Sequence, residues 1–437
     1  MSQPASKLLK VLGLAFGVAI LVGNTIGSGI LRTPGDVAAA LPSVGWFLGV
    51  WAAGGVYASL GAMSLAELAV MTPKSGGQYV FARRALGEYP GFVIGWTDWI
   101  STCASTATAA IALGELAAQV APAVAGRENW VALAVLAVFT AVHWMGVRSS
   151  DLTQQLLSVL KVLALVVVAI ACMLAPAAPV PGASPGIPEG FAFVAALVFV
   201  FQNVLYTYDG WNGVTYFGGE MKDPAREIPR AMLLGVLVVL AVYLALNVAF
   251  LHVLGITALA GEKFAAAAAA KVAFGSAGEG IVRAVIAVTM LGLVNAVLLI
   301  SSRVPYAMAE DQLLPRWVSR VNRRGTPDIA LGASVVLTAV LVASGTFQTV
   351  LALAAFFFVL QYATSFTSLF VLRVREPDAP RGYRVWGYPV VPGIVLLGAL
   401  AFLAASFASD RTNSLICVGI IVVSYPLYLG AKRVSRG

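Results

Sequence analysis

Twelve apolar segments, separated by short polar connections, run along the chain. They cover residues 11–41, 45–71, 91–122, 130–146, 152–175, 191–218, 231–254, 280–309, 328–345, 348–372, 388–407 and 412–430. Each is long enough to approach, as a helix, the hydrocarbon core of a bilayer, which is about 30 Å thick. The pattern predicts an all-α integral membrane protein with twelve transmembrane helices.

A polar glycine cluster interrupts the first apolar segment at residues 23–29, which read Gly-Asn-Thr-Ile-Gly-Ser-Gly. The apolar run before it, residues 11–22, rises only roughly 18 Å as a helix, so the break falls near the middle of the bilayer. Backbone N–H and C=O groups freed at that depth are costly unless they are buried or bind something. We therefore predict a broken helix that forms a polar site for a small solute, as in a transporter.

The sixth segment carries a second interruption at residues 206–213, Tyr-Thr-Tyr-Asp-Gly-Trp-Asn-Gly. Interrupted segments at corresponding places predict two inverted five-helix repeats with the binding site between them. Repeat one covers about residues 10–175 and repeat two about 190–373, and two extra spans follow at about 387–430, all within a single membrane transport domain, residues 1–437. The simpler alternative is that Gly and Pro merely kink the two helices.

Composition and charge agree with this architecture. Hydrophobic residues are 59% of the chain, charged residues 11%, and mean hydropathy is +0.88, so the charges are too few to cover a soluble protein of this size. With twelve spans, 21 of the 28 Lys and Arg fall on the side of the termini and five on the other, which predicts cytoplasmic N and C termini. The net charge of +8 then reflects topology and not a nucleic-acid partner.

The remaining composition indicates no chemistry beyond binding. The chain has two histidines and three cysteines, with the cysteines inside spans, so neither a metal site, a disulfide nor a cofactor is expected. No catalytic constellation stands out, so we do not expect an enzyme. Two connections have helical character: residues 76–87 predict an amphipathic helix at the cytoplasmic interface, and residues 257–274 predict a short external helix over the site.

Several motifs carry a family resemblance. They are VGNTIGSGI at 22–30, KSGGQYV at 74–80, YDGWN at 208–212, EMKDP at 220–224, IPR at 228–230, SSR at 301–303 and YAMA at 306–309. On these residues the chain resembles the amino acid–polyamine–organocation superfamily, nearest its L-amino-acid transporter branch, over segments one to ten. The resemblance implies alternating access, in which a bundle of segments 1, 2, 6 and 7 rocks against a scaffold of segments 3, 4, 8 and 9.

An amino acid zwitterion presents one carboxylate and one ammonium group. Free N–H groups at the start of the second half-helix of segment 1 suit a carboxylate, and the helix dipole adds favourable potential. The resemblance implies that the backbone amides of Gly27, Ser28 and Gly29 hold this carboxylate. The alternative is close helix packing, for which Gly23 and Gly27 have the right spacing.

The positions that match the family's ammonium-binding residues are Thr25, Tyr206 and Asp209. Tyr206 takes the place of the family's gating aromatic residue, so its ring is expected to close over the substrate; the alternative is an aromatic residue packed in a core. Asp209 is the only acid of the second interruption, and it meets an ammonium group or hydrogen-bonds its own turn. Both interpretations stay open, so Asp209 does not fix the charge of the substrate.

Lys161 lies inside the fifth segment, ten residues after Asp151. The resemblance places a lysine here against the first broken helix, where sodium-coupled relatives of this fold bind a cation, and so implies sodium independence. Alternatively, the side chain snorkels to the cytoplasm or carries a proton. Ser301 or Ser302 is its expected hydroxyl partner, and Glu115 in the third segment is the next candidate for a proton site.

Three further features bear on the site. Asp98 is expected near the cytoplasmic end of the third segment, where two tryptophans indicate an interface. The small polar run at residues 101–108 serves helix packing or lines the pocket. The charged tract at residues 220–230 is either a solvated loop or pairs with Arg303 or the arginines of residues 316–324 and closes the inner side.

The sequence as a whole predicts a sodium-independent transporter that exchanges neutral L-amino acids. The alternatives are a proton-coupled amino acid symporter and an antiporter of cationic amino acids or polyamines. Animal relatives of this branch pair with a heavy subunit through a cysteine between spans 3 and 4, and residues 121–129 contain none, so no disulfide-linked partner is expected. Short loops and an alanine-rich composition favour a bacterial inner membrane.

Overall fold

The computed structural model describes residues 8–178, 186–344, 347–409 and 411–436, and α-helices dominate these ranges. The first eight helices are α1 (Leu14–Thr25), α2 (Gly29–Ala40), α3 (Val44–Met71), α4 (Gln78–Leu86), α5 (Glu88–Val120), α6 (Glu128–Trp144), α7 (Val147–Leu174) and α8 (Gly190–Tyr208). The next eight are α9 (Pro224–Leu259), α10 (Ala265–Phe274), α11 (Gly278–Ser301), α12 (Arg303–Glu310), α13 (Asp328–Ser344), α14 (Phe347–Arg375), α15 (Val390–Ser409) and α16 (Arg411–Arg436).

The lengths and apolar composition of these helices are those of a membrane protein. In the described ranges nine helices are long and apolar enough to cross a bilayer, or ten if α1 and α2 count as one bent span. Two shorter apolar helices, α6 and α13, have 17 residues each and rise roughly 26 Å. The all-helical membrane fold is therefore confirmed, whereas the count of twelve spans and the inverted repeats stay predictions.

Both interruptions break their helices where the sequence predicts. Helix α1 ends at Thr25 and α2 begins at Gly29, with a bend of 50° between them. Helix α8 ends at Tyr208, and the rest of the sixth segment forms no α-helix: residues 213–216 make one 3₁₀ turn before α9 begins at Pro224. The chain packs closely here, since a Cβ on Gly218 would lie 2.8 Å from the carbonyl oxygen of Lys74.

Both predicted connecting helices exist. Helix α4 buries six of its nine residues and packs against α5 and α14, and its place at the cytoplasmic interface stays a prediction. Helix α10 packs against α2, α9 and α11. The turn before it contacts α2 closely, since the amide of Gly261 donates to the carbonyl of Gly35 at 3.0 Å.

Helix α5 is the centre of the packing. It contacts α4, α6, α11, α13 and α14, and 19 of its 33 residues are buried. Small residues allow this close approach: a Cβ on Gly95 would lie 2.6 Å from the Met308 sulfur, and one on Gly114 would lie 2.2 Å from the Glu128 carbonyl oxygen. A side chain on the buried face of α5 is therefore held in a nearly fixed position.

A buried ion cluster connects α3, α14 and the loop after α14. Glu67 on α3 is fully buried and lies 2.7 Å from Arg373 and 3.2 Å from Arg381. Its carboxylate also accepts the backbone N–H of Val385 at 2.7 Å. The charge on Glu67 thus has several partners, as a buried carboxylate requires.

We expect Glu67→Ala to lower the free energy of unfolding by about 3–5 kcal/mol, because two guanidinium groups then lose their buried partner. Glu376→Ala, which removes the more exposed pair with Arg84, is the control and is expected to cost at most about 1 kcal/mol. Thermal melting of the purified protein in detergent measures both variants. Equal shifts of Tm would contradict the assignment of Glu67 to the structural core.

Candidate functional site

A cavity of about 450 Å³ lies between the two interruptions. One end reaches the surface beside Arg32 and Asp36, two exposed residues of α2. The other end is closed by the buried side chains of Asn212 and Tyr216. The remaining lining residues are Asn24, Thr25, Gly27, Ser28, Gly29, Thr33, Thr102, Ser105, Thr108, Ala109, Ala112, Asn203, Tyr206, Thr207, Asp209, Met290, Leu293, Val297, Ile300 and Phe358.

The two interruptions contact each other directly. The side-chain amide of Asn24 donates to the carbonyl oxygen of Gly210 at 3.0 Å. Gly210 has φ +108°, and a Cβ there would lie 2.8 Å from the backbone carbon of Asn24. Residue 210 therefore has to be glycine both for its backbone conformation and for this approach.

Gly27, Ser28 and Gly29 line the cavity at the start of α2, where the sequence predicts them. The first N–H groups of a helix have no intrahelical acceptor, and the helix dipole is positive at that end. A Cβ on Gly29 would lie 3.0 Å from the Thr207 side chain, so the backbone of the two segments meets closely here. This end of the cavity is suited to an anionic group.

The oxygen atoms suited to a cationic group come from the two helix ends. The carbonyl oxygens of Thr25 and Thr207, in the last turns of α1 and α8, both accept the hydroxyl of Tyr243, at 3.2 and 3.0 Å. The Thr25 hydroxyl is buried and has no partner among the described residues. Tyr243 was not predicted as a site residue, because it lies in an apolar stretch of α9 and only its phenol hydroxyl distinguishes it from its neighbours.

Tyr206 and Asp209 lie on the α8 side of the cavity. The Tyr206 residue lines the cavity and is 43% exposed. Asp209 is partly exposed, and its carboxylate accepts the hydroxyl of Tyr362 at 2.7 Å. Tyr362 in turn stacks on Trp211, with ring centroids 4.6 Å apart. Asp209 is thus oriented by α14 while one side of it faces the cavity.

Lys161 is fully buried against the first interruption. Its ammonium group donates to the carbonyl oxygens of Gly23 at 2.9 Å and Ile26 at 2.7 Å. A Cβ on Gly292 of α11 would lie 3.0 Å from the Lys161 Cε atom, so glycine leaves the space that the lysine fills. The alternative of a side chain that snorkels to the cytoplasm is wrong, because Lys161 uses its donors on α1.

Three other residues expected at this site have other surroundings. The hydroxyl of Ser302 donates to the Leu299 carbonyl and accepts from Arg303 at 3.0 Å, so it is not the partner of Lys161. Ser301 likewise donates to a carbonyl of its own helix, that of Leu298. Glu115 is exposed on α5 and is not among the residues that line the cavity.

A buried ion pair lies beyond the closed end of the cavity. Arg303 donates to both carboxylate oxygens of Glu220 at 3.1 Å, and both side chains are buried. The guanidinium group also lies 4.8 Å from the centroid of the Phe217 ring. Two parallel hydrogen bonds between these ions hold their geometry firmly. The tract at residues 220–230 therefore forms the predicted pair with Arg303, and at Glu220 it is not a solvated loop.

Asp98 is a site residue whose burial the sequence did not predict. It is fully buried, and the hydroxyl of Tyr216 donates to its two carboxylate oxygens at 2.9 and 3.0 Å. The signal of burial that the sequence offered was its position ten residues into α5, roughly 15 Å from the helix start. Thr102, Ser105 and Thr108 line the cavity, so the small polar run serves the pocket as well as packing.

A broken helix with a cavity at the break is typical of a membrane transporter for a small solute. The chain belongs to the amino acid permease family, whose model matches residues 7–425. It is therefore a member of the amino acid–polyamine–organocation superfamily, in its L-amino-acid transporter branch, and its function is amino acid transport.

Individual relatives agree over nearly the whole chain. The serine/threonine exchanger SteT of Bacillus subtilis is 28% identical over 98% of this chain and 98% of its own. The b(0,+)-type amino acid transporter 1 of Homo sapiens is 28% identical over 97% of this chain and 88% of its own. The Asc-type amino acid transporter 1 of Mus musculus is 30% identical over 95% and 79%. The resemblance stated from the motifs is confirmed.

We expect Gly210→Ala to destabilise the site by roughly 1–3 kcal/mol and to abolish transport, because the new Cβ is strained at this φ and meets the Asn24 backbone. Gly419→Ala in α16, where a Cβ meets nothing within 4 Å, is the matched control. Thermal melting and uptake of labelled amino acids in proteoliposomes test both. Normal uptake by Gly210→Ala would show that contact between the two interruptions is dispensable.

Proposed function

We propose that this permease is a sodium-independent exchanger of neutral L-amino acids that works by alternating access. The observation that carries the proposal is the ammonium group of Lys161, which donates to the carbonyl oxygens of Gly23 and Ile26. A sodium ion at these carbonyls would be repelled by this buried positive charge. Without a coupling ion, the driving force for uptake is the outward movement of a second amino acid.

In this proposal the chain crosses a bacterial inner membrane twelve times. One span is the broken pair α1 and α2, and the others are α3, α5, α6, α7, α8, α9, α11, α13, α14, α15 and α16, arranged as two inverted five-helix repeats and two extra spans. The distribution of Lys and Arg supports cytoplasmic termini. The open end of the cavity at Arg32 then faces outward, and the buried pair Glu220–Arg303 closes the cytoplasmic side.

A zwitterion fits the two ends of the cavity. Its carboxylate meets the backbone amides of Gly27, Ser28 and Gly29, and its ammonium group meets the Thr25 carbonyl and Asp209. The space between them is lined largely by hydroxyl and amide groups, such as those of Thr102, Ser105, Thr108, Asn203 and Asn212. Small polar side chains therefore suit the pocket, and a relative named a serine/threonine exchanger supports the same choice.

One observation favours a second candidate, a transporter of cationic amino acids or polyamines. The Asp209 carboxylate receives a hydrogen bond from Tyr362, has no ion-pair partner within 4 Å in the described part of the chain, and faces the cavity. A second positive charge on the substrate would find its counter-ion there. Competition by lysine, arginine and putrescine against labelled serine separates the two candidates.

We also propose that the chain works without a disulfide-linked heavy subunit. Residues 121–129, between α5 and α6, contain no cysteine. All three cysteines, Cys103, Cys172 and Cys417, are buried within helices. Transport by the purified chain alone in liposomes tests this directly, since a required partner would leave the reconstituted protein inactive.

The decisive experiment is efflux of labelled amino acids from proteoliposomes in sodium-free buffer. We expect efflux to require an unlabelled amino acid outside and to be unchanged when sodium is added. Liposomes without protein are the control. Uptake that needs sodium, or accumulation driven by a proton gradient without a counter-substrate, would contradict the exchange mechanism. If no amino acid moves under any of these conditions, the proposed function is wrong.

We expect Lys161→Ala to reduce exchange at least roughly tenfold, because the carbonyls at the first interruption lose the cation that holds them. Lys271→Ala, on the exposed side of α10, is the control. Initial exchange rates are compared at equal amounts of folded protein. Unchanged exchange and sodium independence in Lys161→Ala would remove the role of Lys161 as a surrogate cation.

We expect Tyr206→Ala to abolish exchange while leaving expression intact, because no ring is then available to cover the substrate. Tyr206→Phe keeps the ring and is expected to retain most of the activity. Both variants are measured by exchange rate and by thermal shift on addition of amino acids. Wild-type flux in Tyr206→Ala would exclude a gating role for this side chain.

A further inference from the structure

Asp98 is a buried carboxylate that is not among the residues lining the cavity. It lies on α5 below the closed end of the cavity, and its side chain is fully buried. The hydroxyl of Tyr216 is its hydrogen-bond donor, at 2.9 and 3.0 Å from the two oxygens. No Lys, Arg or His lies within 4 Å of it in the described ranges. A negative charge in such a place is costly unless a cation or several donors face it.

Several titratable groups on the elements packed against α5 bond residues other than Asp98. They are Arg83 on α4 with Asp311, His143 on α6 with Asn295, Arg283 on α11 with Glu279, Arg303 on α12 with Glu220, Asp328 on α13 with Arg320, Arg373 on α14 with Glu67, and Lys432 on α16 with Glu88. The surroundings therefore oppose a charge on Asp98.

Tyr216 connects Asp98 to the part of the molecule that moves in the proposed cycle. It belongs to the segment after α8, and its ring packs against Gly77, where a Cβ would lie 2.4 Å from the ring. Its backbone carbonyl accepts the N–H of Gly76 at 3.1 Å. Asn212, one turn earlier, lines the cavity beside it. When this segment leaves α5 to open the cytoplasmic side, the hydrogen bond from Tyr216 to Asp98 breaks.

We propose that Asp98 is a proton-binding site that takes its proton from the cytoplasm each time the inner side of the transporter closes. The inference rests on the exchange function proposed above. In the inward-open state Asp98 meets water and ionises. Closure then buries it against Tyr216 without a counter-ion, so a proton binds a carboxylate oxygen before or during closure and leaves again at the next inward opening.

This assignment predicts an asymmetric dependence on pH. The proton enters from the cytoplasmic water, so a higher cytoplasmic pH slows closure and therefore slows exchange. The external pH has no such effect, because Asp98 is fully buried while the cavity is open to the outside. The Asp98→Asn variant keeps a similar shape and a group that bonds Tyr216, but it needs no proton.

The test uses full-length protein reconstituted with its cytoplasmic side facing the liposome interior. Labelled L-serine is outside and unlabelled L-serine is inside. Exchange is measured while the internal pH is raised from about 6 to about 8.5 at fixed external pH. It is then measured while the external pH is raised over the same range at fixed internal pH. We expect the exchange rate of the wild type to fall roughly fivefold or more as internal pH rises and to be independent of external pH. The exchange rate of Asp98→Asn is expected to be independent of both. Glu115→Gln, an exposed acid on the same helix, is the control and should keep the wild-type profile.

Three results would overturn the assignment: a wild type insensitive to internal pH, an equal response to pH on both sides, or an Asp98→Asn profile identical to the wild type. All three leave exchange itself intact, so they are distinguishable from a failure of the proposed function, which appears as no exchange at any pH. If Asp98→Asn does not fold, the asymmetry of the wild type between internal and external pH still decides the question.

Discussion

The backbone groups that lose their helical partners at the first interruption, residues 23–29, impose the main constraint on this structure. At the depth of a bilayer centre these groups must find partners within the protein. The Lys161 ammonium group serves the carbonyls of Gly23 and Ile26, and the Tyr243 hydroxyl serves that of Thr25. Since α1 is held by its neighbours in this way, the N–H groups at the start of α2 remain available to a solute.

The parts that could be predicted from sequence are those that depend on position along the chain. The interruptions, the helix ends and the depth of Lys161 follow from residue spacing, because a helix rises a fixed distance per residue. The direction in which a side chain points depends on the rotation of its helix, which spacing does not give. For this reason Glu115 and Ser302 were assigned to the site although Glu115 is exposed and Ser302 bonds Arg303.

The same limit applies to α4 and to Asp98. Helix α4 has one apolar face, and that pattern does not identify α5 and α14 as the helices against which it packs. The tryptophans beside Asp98 indicated an interface, but spacing alone does not give its complete burial or its contact with Tyr216. A buried acid becomes recognisable only when its surroundings are known, as when Tyr216 and the absence of a nearby cation in the described ranges are seen together.

The single phenol of Tyr243 has a mechanical consequence. Its hydroxyl donates to carbonyls of both α1 and α8, and the side chain of Asn24 donates to Gly210. These hydrogen bonds join the two interrupted segments at their breaks. Neither helix can tilt alone without losing at least one of these hydrogen bonds. The two interrupted segments therefore tilt together, and motion of one of them alone is disfavoured.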